Sequence, residues 1–186
     1  MRTFIAIPIP QDIREMAADV RNSLEKTGAD VKWVEEENYH ITLKFLGDID
    51  QQIANNIYIH LNSISENYHS FVLKVRGIGF FPNANQPRVI WLGVNGELEK
   101  ANLLGERIDA HLTEEGFEPE RKRSFHLTLG RIRSKRGQKE LLDETNKLNK
   151  IIKSRSFLVN KIDFMESRLT PQGPNYILHK SFWLRD

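Results

Sequence analysis

Hydrophobic positions along this chain follow two periods, and the switches between them mark out the elements. From Thr3 to Ile9 the residues are almost continuously apolar, which predicts a strand. Pro10-Gln11-Asp12 then opens a helix, with Ile13, Met16, Ala17, Val20 and Leu24 at helical spacing and Gly28 as the stop. Val31 to Val34 reads as a short strand, and after a polar turn at Glu35 to Asn38 a longer one runs from Tyr39 to Leu46. Gly47-Asp48 ends it, and Ile53, Ile57, Leu61 and Ile64 define the next helix.

The same rhythm returns. Phe71 to Phe81 predicts a strand, Pro82 to Pro87 a turn-rich loop, and Arg88 to Val94 a further strand. A helix is expected from Glu97 to Glu115, ending at Gly116, then a strand over Ser124 to Arg133 and a helix over Gln138 to Ile152. Two long strands, Phe157 to Leu169 and Tyr176 to Leu184, close around the turn Pro171-Gln172-Gly173-Pro174. Strands joined by short turns, interleaved with helices, predict an α+β fold with largely antiparallel sheets rather than a doubly wound parallel one.

Composition narrows the picture a little. The 186 residues suit one domain, or one domain of two similar lobes, with a core large enough to need no staples. There is no cysteine, which removes disulfides, thiol nucleophiles and thiolate metal ligands, and fits a reducing compartment. A formal net charge of +2 does not mark a general nucleic-acid binder, so an anionic ligand has to be argued from local charge. The apolar opening is short and interrupted by Pro8 and Pro10, unlike a signal peptide or a membrane span, so the cytoplasm is the expected location.

Candidate chemistry comes from an internal echo. Tyr39-His40-Ile41-Thr42-Leu43 matches Phe125-His126-Leu127-Thr128-Leu129 as aromatic, His, aliphatic, Thr, Leu, with the histidines 86 positions apart. Side chains alternate on a strand, so His40 shares a face with Thr42, and His126 with Thr128, while Ile41, Leu43 and Phe45 take the other side of their strand. A third His-x-Thr, His111-Leu112-Thr113, falls at a predicted helix end and lacks the following leucine, so it reads as a surface feature.

Histidine serves as acid or base near neutral pH, and two hydroxyls can donate to oxygens that gain charge. In-line displacement at phosphorus needs its acid and base on opposite sides, which two strands can provide. From Arg121 to Lys139 there are eight basic residues and no acidic one. Arg131, just past the second motif, is the one expected to neutralise a phosphate, although strict alternation puts it on the leucine side unless a bulge re-aims it. Trp33, Trp91 and Trp183 are expected to pack rather than stack bases, and His60, His69 and His179 lack the motif context.

At these residues the chain resembles the two-histidine phosphoesterase superfamily, and more closely the RNA 2',3'-cyclic phosphodiesterases, also described as 2'-5' RNA ligase-like proteins. The likeness spans nearly the whole chain: Arg2 to Pro8, Trp33-Val34, His40 to Gly47, Phe80-Phe81-Pro82, Val89 to Val94, His126 to Arg131, and Glu166 to Leu169 with Gly173-Pro174 and Tyr176. The family often has proline before the second histidine; here Phe125 stands there.

This resemblance implies a bilobal α+β fold over residues 1–186, with two pseudo-symmetric sheets across a central cleft and helices outside. It also implies hydrolysis of a terminal 2',3'-cyclic phosphate to a 2'-phosphate without metal or other cofactor. By the same resemblance His40 is the proton donor and His126 the acceptor, Thr42 and Thr128 hold the phosphate, and Arg131 and Lys44 assist. The motifs alone are symmetric and do not decide which histidine is which. The partners implied are RNA with 2',3'-cyclic phosphate ends, tRNA fragments among them, or cyclic nucleotides, met by a monomer away from membranes. The same site run in reverse is a 2'-5' RNA ligase, and a non-catalytic RNA-binding module is the further alternative.

Overall fold

The computed structural model describes residues 1–186. Nine strands and four α-helices follow in the order β1 (Arg2–Pro8), α1 (Gln11–Glu25), β2 (Val31–Trp33), β3 (His40–Asp48), α2 (Gln51–Glu66), β4 (Phe71–Phe81), β5 (Val89–Gly96), α3 (Leu98–Leu112), β6 (His126–Ile132), α4 (Gln138–Asn149), β7 (Arg155–Val159), β8 (Lys161–Thr170) and β9 (Gly173–Trp183).

All the strand pairs within the sheet are antiparallel, and their order is β7-β4-β5-β6-β3-β1-β8-β9, with β2 on the end of β6. The centre of that order is a seam. β3 and β6 pair at a single position, Ile41 with Leu127, whereas β1 and β3 pair over most of their length. Two four-stranded halves therefore hinge on one bridge: β3-β1-β8-β9 is the first lobe and β6-β5-β4-β7 the second. This is the two-lobed antiparallel arrangement the sequence led us to expect.

The helices bury their apolar stripes against one side of the sheet. Ile13, Ala17, Val20 and Leu24 of α1, Ile57 and Leu61 of α2, Leu104 and Ile108 of α3, and Leu141 of α4 join Ile5, Ile7, Ile90, Leu92, Leu127 and Leu129 in one core. α2 starts where the Asp50 carboxylate accepts the backbone N–H of Ile53 at 2.9 Å. No helix is long and apolar enough to cross a membrane.

One expected element divides. The strand predicted from Phe157 to Leu169 is two, because the chain crosses at Asn160 from the edge of the sheet, where β7 pairs with β4, to β1 in the other lobe. Its signature is a slip in phase: Phe157 and Val159 are buried at odd positions, Ile162 and Phe164 at even ones.

Candidate active site

The two motifs meet at the seam. With Ile41 opposite Leu127, antiparallel register sets His40 across from Thr128 and Thr42 across from His126 on the face away from the helices. The histidines are then diagonal neighbours, with Cβ atoms about 7–8 Å apart, enough to admit a phosphorus centre between them.

Both rings are held alike. The Nδ1–H of His40 donates to the carbonyl of Asn38 at 2.8 Å, and that of His126 to the carbonyl of Ser124 at 3.1 Å. Each acceptor lies two residues upstream, so in the neutral ring the proton is fixed on Nδ1 and Nε2 is the free basic atom. On His40 this Nε2 accepts from the Thr42 hydroxyl at 2.9 Å. Aromatic rings brace both imidazoles: Phe4 and Tyr176 lie 4.8 and 5.3 Å from His40, and Phe81 lies edge-on 5.0 Å from His126.

Burial lowers both histidines below their ordinary 6.5, against the upward pull of the carbonyl each ring donates to. Each also feels a neighbouring charge that lowers it further, His126 for His40 and Arg131 for His126.

A matched pair of bulges decides what else faces the cleft. The β1–β3 register skips at Leu43, and the β5–β6 register skips at Leu129, the same place in each motif. An extra residue reverses the alternation beyond it. Arg131 is thereby turned to the histidine side, where its charge reaches both His126 and Tyr176. Gly130 faces inward instead, and a Cβ there would stand 2.6 Å from a Val31 methyl.

In the first lobe the same bulge overturns two sequence expectations. Phe45, assigned to the apolar face, emerges on the open side at 70% exposure beside Phe4. Lys44, expected to help bind substrate, is turned into the protein. Its Nζ lies 2.7 Å from Asp109 Oδ1 and 2.8 Å from the Glu118 carbonyl, and only 3% of the residue is exposed. It is therefore committed to a buried ion cluster and is withdrawn from the candidate substrate contacts.

Asp109 joins that cluster to the second lobe. Its Oδ2 accepts from Arg123 at 2.8 Å and from the Glu120 N–H at 3.1 Å, while Arg123 Nε donates to Leu43 O at 3.3 Å. Arg123 thus leaves the solvated basic run to tie the bulge of β3 to the segment that leads into His126. Tyr176, Phe81, Asp109 and Arg123 were not among the sequence-predicted site residues. Nothing in local spacing marks them, because each reaches the site through the curl of the sheet or from a helix.

The remaining candidates lie elsewhere. His111 stands at the end of α3, 5.5 Å from His60, which meets Glu115 at 3.2 Å. His179 bonds Glu166 at 2.6 Å on the helix side. Trp91 lies across Gly79, Trp33 packs on Gly130, and Trp183 is 62% exposed beneath Lys161.

Comparison with known proteins agrees with this duplicated layout. The family described as LigT like Phosphoesterase matches residues 7–91 and again 92–176, one match over each copy of the motif. The RNA 2',3'-cyclic phosphodiesterase of Methanothermobacter thermautotrophicus is 34% identical over 176 residues, 95% of either chain. That of Thermotoga maritima is 36% identical over 176 residues, 95% of this chain and 91% of its own. In fold, the crystal structure of TT0787 of Thermus thermophilus superposes with a TM-score of 0.82 at 23% identity, covering 100% of this chain and 98% of that one.

Proposed function

This chain belongs to the LigT-like phosphoesterase family, and on that premise we propose that it hydrolyses the 2',3'-cyclic phosphate at the end of an RNA to a 2'-phosphate. One observation carries the reading: two His-x-Thr motifs, on strands that meet at Ile41 and Leu127, with each ring's Nδ1 engaged by backbone so that Nε2 is its reactive atom.

Neutral His126 takes a proton from water through Nε2. The oxygen attacks phosphorus, the P–O3' bond breaks, and the departing 3' oxygen takes the proton held on Nε2 of His40. The product carries a 2'-phosphate and a 3'-hydroxyl; His126 is left protonated and His40 neutral, and exchange with solvent resets both. Arg131 favours this division of labour, because its charge opposes a proton on His126. Thr42 and Thr128 donate to the non-bridging oxygens, Thr42 turning from His40 Nε2 to do so. With Arg131 they stabilise the charge that a metal ion would otherwise offset, so we assign the reaction no metal. The RNA partner, and the single two-lobed domain over residues 1–186, belong to the same reading.

The test is a short RNA ending in a 2',3'-cyclic phosphate, incubated with the protein in excess chelator, with the phosphate position of the product identified. A 2'-phosphate is expected. A 3'-phosphate, or turnover only when metal is restored, overturns the reaction as written.

A pH prediction follows from the two depressed histidines. The productive free enzyme holds one proton between them, so its abundance peaks midway between the two apparent pKa values of the pair. Both are lowered from 6.5, so kcat/KM is expected to peak on the acid side of pH 6.5 and to fall above it. The bound phosphate monoanion favours the charged rings, so the kcat profile should lie at higher pH. A kcat/KM optimum above pH 7.5 would contradict this.

A further inference from the structure

The two lobes are built alike but charged differently, and the difference lies on the open face beside the histidines. In the second lobe, His126 is paired with Gly93 on β5, and Gly93 with Arg76 on β4. The next row on this face holds Asn95 and Lys74. Two strand spacings of about 4.8 Å separate the Arg76 backbone from that of His126. Nothing rises between them: Gly93 has no side chain, and a Cβ there would sit 2.8 Å from the Arg76 carbonyl. Beside it Trp91 lies flat across Gly79. Arg76 and Lys74 are both exposed, and no carboxylate pairs with either.

The matching cation of the first lobe is spent within the protein. Lys161 precedes Asp163, the β8 partner of Ala6, and so lies across Pro8 from His40. Its Nζ is 3.7 Å from Asp163 Oδ1, 3.5 Å from Ser181 Oγ and 5.3 Å from the Trp183 ring centre. At the position where the second lobe offers Arg131, the first offers Phe45. A polyanion leaving the cleft meets Arg2 on the first lobe, exposed two residues before Phe4 and close enough to act on Tyr176, against Arg131, Arg76 and Lys74 on the second.

We propose that Arg76, supported by Lys74, forms a subsite for the phosphodiester one nucleotide upstream of the cyclic end, reached from His126 over Gly93. The upstream strand crosses the second lobe, and the subsite selects oligonucleotide ends over mononucleoside 2',3'-cyclic phosphates. This rests on the cyclic phosphodiesterase reading above. Arg76 presents a planar fork that pairs with two phosphate oxygens, and Lys74 adds a point charge for the next turn of chain.

The test compares kcat/KM for a nucleoside 2',3'-cyclic phosphate and for a dinucleotide ending in the same cyclic nucleotide, in the native protein and in Arg76→Gln and Lys74→Gln. Native protein should prefer the dinucleotide by about tenfold or more, the size of one charge-assisted contact, and lose that preference as salt is raised. Arg76→Gln should bring the dinucleotide down to the mononucleotide value and leave the mononucleotide unchanged, with a smaller loss for Lys74→Gln. No preference in the native protein, a preference that survives Arg76→Gln, or an equal fall for both substrates overturns the subsite. Failure of native protein to turn over either substrate removes the phosphodiesterase reading, and the subsite with it. Turnover of the mononucleotide alone keeps the former and rejects the latter.

Discussion

Replacing either His40 or His126 by alanine is expected to lower kcat for cyclic phosphate opening by about 10²–10⁴-fold, with KM changed far less. Both rings hang from backbone carbonyls through Nδ1 and touch the core mainly through neighbouring aromatics, so either can be removed without opening the sheet. The two losses differ in character. An enzyme without its general base loses the limb of the pH profile that rises with pH; one without its general acid loses the limb that falls. His126→Ala should lose the rising limb and His40→Ala the falling one. A substrate with sulfur in place of the departing 3' oxygen needs little protonation, so it should rescue His40→Ala and not His126→Ala. Rescue of the other variant would exchange the roles while leaving the site intact. Loss of less than tenfold in both variants would sink two-histidine catalysis here.

How much of this was legible in the sequence depends on the range of the interaction. The repeat, its strand context and the alternation that groups His40 with Thr42 and His126 with Thr128 are local, and they stand as read. The faces beyond Leu43 were misread, and the side taken by Arg131 beyond Leu129 was left open, because a bulge needs one extra residue opposite a partner, and the partner strands β1 and β5 are distant in sequence. One register skip in each lobe exchanged the fates of Lys44 and Phe45 and settled that of Arg131. Lys44 was expected at the phosphate on the family resemblance alone, and a regular strand would indeed have set it on the face of His40 and Thr42. Asp109, which holds it, comes from α3, and no pattern along the chain joins the two. The division of β7 from β8 was visible as a phase slip, but a slip alone does not say to which strands the two pieces return.

The buried cluster yields the largest expected effect on stability. Asp109 is 4% exposed, and its two oxygens take hydrogen bonds from Lys44, Arg123 and the Glu120 N–H. Asp109→Ala leaves two cations facing each other in a space with little water, which costs about 3–5 kcal/mol. For a chain of 186 residues this lowers the melting temperature by roughly 10 °C. Changing Lys44, Asp109 and Arg123 together to apolar residues of similar volume should recover most of that loss, since no unpaired charge remains.

Burial alone would raise the Asp109 pKa, but the bonds from Lys44, Arg123 and the Glu120 backbone, with the Arg123 charge, outweigh it and hold the group below its ordinary 3.8. A carboxylate depressed on folding stabilises above its unfolded pKa and ceases to do so as pH falls through the folded value. The native protein should therefore lose stability more steeply than Asp109→Ala below about pH 4 in urea titrations. Parallel curves, or a cost under 1 kcal/mol at pH 7, would show the cluster to be dispensable. Because Arg123 also bonds Leu43 at the first bulge and stands three residues before His126, the same variant should lower kcat even at temperatures where it remains folded. The ion cluster ties the bulge after the first motif to the segment that leads into the second, beside a seam joined by a single strand bridge.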